Sequence, residues 1–228
     1  MRRIATAALL AFAIAGMVAA QPARAQQLLF DYVGFDYEDP VLPATTFGDL
    51  GNGYVGIGEV PFIDPLLTTN QTLNQYTYHL SGLISTNKQV FGNIVVIDYA
   101  GPGTLKLYED LKSSGTAFDY GTGPPNGTAP STFTDGTSIL EFSVTAFRII
   151  LNTATNSGSY DSQLTVTGGS QFGNIPVNQQ SGWQFAGITG NSVTIPQGYA
   201  HQVDGQTFLV NPTHSRTSSW GQLKRGYR

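Results

Sequence analysis

The run SILEFSVTAFRIILNT, residues 138–153, decides how this chain folds. Leu140, Phe142, Val144 and Ala146 fall on one phase of a two-residue period, and Phe147, Ile149 and Leu151 continue the apolar series on the other phase. Alternation with one apolar side is the pattern of a half-buried strand. One extra residue produces such a change of phase, so the run predicts a bulge near Ala146 and Phe147, or a strand that passes from one sheet to another. A buried central helix is the competing assignment, and the β-branched Val144, Thr145, Ile149 and Ile150 argue against it.

The same reading extends along the chain. QYTYHLSGLIS (75–85) places Tyr76, Tyr78 and Leu80 on one face and Thr77, His79 and Ser81 on the other. GNIVVIDY (92–99) and GTLKLYED (103–110) read as two strands joined by AGPG, and SQLTVTGG (162–169), GWQFAGITG (182–190) and NSVTIP (191–196) as three more. In AHQVDGQTFLV (200–210), Asp204 and Gly205 sit between alternating segments, the signature of a two-residue hairpin turn. Roughly eight to eleven short strands between Gly-, Pro- and Asn-rich turns predict an all-β fold, a two-sheet antiparallel β-sandwich of jelly-roll or immunoglobulin-like connection. FGNI occurs at 91–94 and again at 172–175, but nothing around the copies extends the match into a repeat.

Composition sets the compartment and removes several chemistries. Arg2 and Arg3 precede an apolar run over 4–20, and Ala23, Arg24 and Ala25 supply a small-x-small cleavage pattern, so 1–25 reads as a bacterial signal peptide. The expected destination is the periplasm, the cell surface or the medium, with no transmembrane anchor after cleavage. Cysteine is absent, which excludes disulfide staples, thiol catalysis and thiolate metal sites. All 15 acids lie within 31–204, where the only cations after the leader are Lys88, Lys106, Lys112 and Arg148, a net of −11. Such a body repels nucleic acid and anionic membrane. Residues 26–211 form one domain, and 212–228 a polar linker and tail.

Four segments carry the chemistry that remains. DYVGFDYEDP (31–40) concentrates Asp31, Asp36, Glu38 and Asp39, oxygen donors suited to calcium; a solvated acidic strand edge is the plainer reading, since the spacing fits no loop motif. Asp98, Glu109, Asp110 and Glu141 offer carboxylate pairs of the kind a glycosidase uses, without any motif that names a reaction. His79, His201 and His214 are too scattered for a zinc signature. The long loop YGTGPPNGTAPSTFTDG (120–136), with Tyr120 and Phe133 near its ends, is either a ligand groove or a connection across the top of the domain.

The chain ends in SSWGQLKRGYR (218–228). Ser219 and Gln222 form a capping-box pattern, and Trp220, Leu223 and Tyr227 recur at i, i+3 and i+7, predicting a short amphipathic helix with Lys224, Arg225 and Arg228 at its C-terminal end. Gly221 and Gly226 weaken it. Ser219, Trp220, Gly221, Leu223, Lys224, Tyr227 and Arg228 together resemble a C-terminal pattern, Ser/Thr-Trp-Gly-x-apolar-Lys-x-x-aromatic-Arg, of uncharacterised exported bacterial proteins, which carries no established activity. The expectation is a non-enzymatic surface, matrix or binding protein whose tail docks on export or surface-attachment machinery, or on an anionic surface polymer. A carbohydrate-binding or carbohydrate-active module is the alternative, with Trp183 and Tyr120 as sugar platforms, although Trp183 alternates with Phe185 as a core residue does.

Overall fold

In the computed structural model, which describes residues 26–39, 47–191 and 193–210, the two-residue alternation becomes eight antiparallel strands. They are β1 (Gln27–Asp39), β2 (Gly53–Ile63), β3 (Asn74–Phe91), β4 (Ile94–Leu111), β5 (Thr137–Asn152), β6 (Ser157–Gly168), β7 (Ser181–Gly190) and β8 (His201–Leu209). Each pairs with its neighbour in chain order. β1 also pairs with β8, Gln27 opposite Leu209 and Asp36 opposite His201, and the sheet closes into a barrel. The two-sheet sandwich is thereby overturned: one sheet surrounds one core. Alternation is common to both architectures, because each sends every second side chain inside, and the pairing of first and last strands decides between them.

No α-helix occurs among the described residues, which hold three short 3₁₀ turns at Ser131–Phe133, Phe172–Asn174 and Val177–Gln179. The expected leader at 1–25 and the tail helix at 218–228 lie outside the described residues.

The phase change in β5 is a bulge. Its register against β6 shifts between Val144 and Ala146, and Phe142, Val144, Phe147 and Ile149 on either side of the shift are all buried. The register between β3 and β4 shifts between Ser81 and Ile84, and that between β4 and β5 at Ala100 and Gly103. These irregularities adjoin, since a Cβ on Gly82 would stand 2.7 Å from the Pro102 carbonyl and one on Gly101 2.8 Å from the Val144 carbonyl. Bulges side by side bend neighbouring strands together, which a small barrel requires of its wall. β4 therefore runs unbroken through AGPG, where two strands were expected.

Rings fill the interior. Tyr32 stacks on Phe185 with ring centres 4.1 Å apart, Tyr78 meets Tyr32 edge-on at 5.0 Å, and Tyr54 lies 4.6 Å from Phe147. Trp183 and Phe185 are buried on β7, as their alternation predicts. Eight strands enclose a space that side chains just fill, and each buried ring contributes roughly 1.5–3 kcal/mol. The space is occupied by the protein's own aromatics rather than shaped for cargo.

A second apolar layer lies outside the wall. Phe35 and Tyr37 of β1 and Ile57 of β2 pack beneath Tyr120, Phe133 and Tyr199, so the β4–β5 and β7–β8 connections strap the outer face. Tyr199 donates its hydroxyl to the Tyr120 carbonyl at 2.6 Å, and the Gly123 amide donates to the Gln197 carbonyl at 2.7 Å, tying the two connections together. NSVTIP accordingly belongs to a connection and not to a strand, with Ile195 packed on this layer. The expected hairpin at Asp204 and Gly205 is absent as well. β8 runs straight through both residues.

Candidate functional site

Two places on the barrel bring chemistry-bearing side chains together. The first is inside, at the end where β1 finishes and β8 begins. Asp36 and Glu38 are two residues apart on β1, so both point inward, and both are 0 % exposed. Asp36 accepts from the His201 backbone amide at 2.7 Å and from the Tyr54 hydroxyl at 3.2 Å, and its oxygens lie 3.1 and 3.3 Å from His201 Nδ1. Glu38 accepts from the Gly48 amide at 2.9 Å, from Asn52 Nδ2 at 2.9 Å and from the Tyr99 hydroxyl at 2.6 Å. Phe47 covers the His201 ring edge-on at 4.6 Å.

Burial sets the proton affinities here. It raises Glu38 above the usual carboxylate range, against the pull of Tyr99, Asn52 and Gly48. Burial also works against a charged His201, but the Asp36 carboxylate outweighs it and raises that ring. Buried carboxylates are tolerated only when hydrogen-bonded this fully, since an unpaired one costs several kcal/mol, on the order of 3–5 when a partner is removed. With Asp36, Glu38 and His201 at most 2 % exposed, the cluster holds the strand ends together and offers no surface to a substrate.

The second place is an open groove of about 530 Å³ on the outside, at the opposite end of the barrel, where β2 ends and β3 begins. Gln71, Asn74 and Gln75 present amides to it, Glu59 and Lys112 supply one charge of each sign, and Phe118 provides an apolar wall. Asn74 Nδ2 donates to Glu109 at 2.6 Å and Gln75 Nε2 to the Thr116 carbonyl at 2.6 Å, which fixes both amides. The buried Oδ1 of Asn74 has no hydrogen-bond partner among the described residues.

Compared with known protein families, with curated proteins and with solved structures, the chain matches none. The reading of the site therefore rests on its geometry.

The structure divides the residues singled out from the sequence. Of the calcium quartet, Asp36 and Glu38 share the interior, Asp31 lies on the opposite face of β1, and Asp39 is exposed at the strand end. The protein's own donors occupy Asp36 and Glu38. Tyr120 and Phe133 meet at 4.9 Å within the strap, Phe133 fully buried against the barrel wall. Asp98 pairs with Arg148 at 2.6 Å and Glu141 with Lys106 at 3.2 Å, while Glu109 and Asp110 hold Asn74 and Gln75. His79 is half-buried on the outer face, where burial and then Lys106 push it down to about 4. His214 and the tail residues Ser219 to Arg228 lie outside the described residues.

Two features escaped the sequence reading. The Asp36–His201 contact spans the whole chain, although the inward phase of Asp36 could be read from its even spacing with Tyr32 and Gly34. The amides of the groove carried no signal, because Gln71 sits in an ordinary polar turn and Asn74 and Gln75 are the first, polar residues of β3.

Proposed function

We propose that this chain is an exported, non-enzymatic binding barrel that recognises a glycan in the groove beside Phe118. The observation that carries the reading is the pairing of fixed amides with an apolar ring in one open groove. Sugar hydroxyls both donate and accept, so they suit Asn and Gln side chains, and the C–H face of a pyranose suits the flat side of an aromatic ring. A filled interior supports external recognition over an enclosed cargo. The outer wall carries Asp98–Arg148 and Lys106–Glu141 pairs, and charged pairs on the outside of a barrel favour water and not lipid around it.

The cationic ending fits this role as a retention element. Arg216, Lys224, Arg225 and Arg228 contrast in sign with a body of 15 acids, and β8 delivers the chain to the end of the barrel where the groove lies. The test is affinity electrophoresis of the mature protein through gels containing dextran, xylan or a β-glucan, with Phe118→Ala and Gln71→Ala alongside. Retardation by one polymer, lost in Phe118→Ala at unchanged melting temperature, supports the reading. Equal mobility in every polymer would defeat it.

A further inference from the structure

Beside the groove the barrel wall parts. The β2–β3 ladder stops at Glu59 opposite Thr77, although β2 runs on to Ile63 against β1 and β3 starts at Asn74 against β4. The groove is the gap between these diverging stretches, with Val60 and Pro61 on one side and Asn74 and Gln75 on the other. Gln71, in the connection between the two strands, donates Nε2 to the Pro61 carbonyl at 3.1 Å. Phe118 is held at the groove by Phe133 and Tyr120, with ring centres 5.5 and 6.0 Å away.

The charges at this gap differ from those elsewhere on the barrel. Lys88, Lys106 and Arg148 each pair with an acid, Asp49 at 2.8 Å, Glu141 at 3.2 Å and Asp98 at 2.6 Å. Lys112 has no ion pair among the described residues. Its Nζ donates to the Gln71 carbonyl at 2.7 Å and its amide to the Leu73 carbonyl at 3.0 Å, which holds the ammonium at the groove with donors to spare. Glu59, the acid that lines the same groove, has neither a hydrogen bond nor an ion pair among the described residues. Glu109 and Asp110, on the β4 side, are engaged by the protein itself: Glu109 accepts from Asn74 and Tyr76, and Asp110 from Gln75. One groove thus displays a carboxylate and an ammonium that do not neutralise each other. A ligand with a single charge is attracted by one and repelled by the other, a neutral ligand leaves both unmatched, and a ligand carrying both charges matches both.

Resting on the glycan reading of this groove, we propose that it selects a zwitterionic glycan, one in which an amino sugar adjoins a uronic acid. Glu59 takes the sugar ammonium, Lys112 takes the sugar carboxylate, and Phe118 lies under a ring face. Both charged side chains are exposed, so water and salt screen each pairing. The gain is about 2–5-fold in affinity for each charge and roughly tenfold for both, at low ionic strength. Opposite charges also set the direction of the glycan chain. Amides that donate and accept alike do not distinguish one direction from the other.

The experiment titrates four disaccharides of one skeleton into the isotope-labelled full mature chain and follows backbone amides by NMR. They are cellobiose, cellobiose with a carboxylate in place of one primary alcohol, cellobiose with an amine in place of a hydroxyl on the other ring, and the form with both changes. The cationic ending is present in the parent and in every variant, so its own pull on acidic sugars cancels between them. The expected result is tightest binding of the doubly changed sugar, with shifts at 59–61, 71–75 and 112–118. Glu59→Gln is expected to remove only the gain from the amine, and Lys112→Gln only the gain from the carboxylate; both side chains are exposed, so both variants should fold. Equal binding of all four sugars, or gains that the two variants leave unchanged, would overturn the charge selection. In that case cellobiose binding that is lost in Phe118→Ala would still uphold the glycan reading. Failure of all four sugars to bind the parent would overturn both.

Discussion

Gly205 of β8 faces the hydroxyl of Tyr32 on β1 so closely that a Cβ on the glycine would stand 2.5 Å from that oxygen and 2.4 Å from the Ala186 carbonyl. The contact explains how so many large rings fit within eight strands. Tyr32 is paired with Gly205 on the neighbouring strand and lies across it to reach Ala186 on β7, so the wall beneath the ring is bare backbone. Gly205→Ala is therefore expected to destabilise the barrel by roughly 1–3 kcal/mol, the cost of overpacking a filled core, read as a lower urea midpoint at unchanged slope. A midpoint equal to that of the parent would show that the wall yields freely there.

The Asp36–His201 contact makes stability depend on pH in a definite direction. His201 is raised above 6.5, so its contribution is complete below that value and is lost as pH climbs through the folded one. Glu38, raised above 4.5, acts in the same sense. Asp98, lowered by Arg148, acts oppositely and is lost as pH falls through its own folded value, below 3.8. His79, pushed down to about 4, opposes His201 and Glu38 between about pH 4 and 6.5, where only the unfolded ring takes a proton. Melting temperature should then peak near about pH 6.5, where that cost has gone and the His201 contribution is still present, and decline toward about pH 9. His201→Gln should cost about 3–5 kcal/mol at the peak and flatten the decline. A parent curve that keeps rising from about pH 6.5 to about pH 9 would contradict this.

Asn126 anchors the strap. Its Oδ1 accepts from the Thr128 amide at 2.8 Å and the Ala129 amide at 2.7 Å, and its Nδ2 donates to the Tyr120 carbonyl at 2.9 Å. Asn126→Ala leaves those groups without partners, at about 1–3 kcal/mol. Hydrogen exchange should accelerate over 118–133 while β4 to β7 keep their protection. Uniform acceleration across all strands would mean that the strap and the barrel unfold as one unit.

Eight strands complete their pairing by Leu209. Removing 218–228 is accordingly expected to leave the melting temperature nearly unchanged while altering where the protein accumulates, checked by calorimetry and by fractionating cells from medium. A large fall in melting temperature would place the tail in the fold instead of on a partner.

What the sequence disclosed was local. The phases of Tyr76, Tyr78 and Leu80, the inward Trp183 and Phe185, and the bulge near Ala146 all follow from spacing and are as expected. What it concealed depends on distant parts of the chain. β2 drew no strand assignment, because Gly53, Gly56 and Gly58 interrupt its apolar alternation, and one of them backs onto a distant glycine: a Cβ on Gly58 would meet Gly34 Cα at 2.7 Å. Asp204-Gly205 has the composition of a hairpin turn, yet its glycine answers to Tyr32, far away in sequence. Asp36 and Glu38 look like a solvated edge because carboxylates seldom face a core, and only His201, Tyr99 and Gly48 make that orientation tolerable.

The seam between β1 and β8 also governs when this molecule can form. Gln27 meets Leu209, so the first strand must wait for the last before both its flanks are satisfied, and no N-terminal fragment encloses the aromatic centre by itself. A chain synthesised from its amino end thus leaves its barrel open until the final strand is made. Closure then captures both ends of the domain at once, so a break or deletion in β8 would leave the whole ring open and not merely shortened.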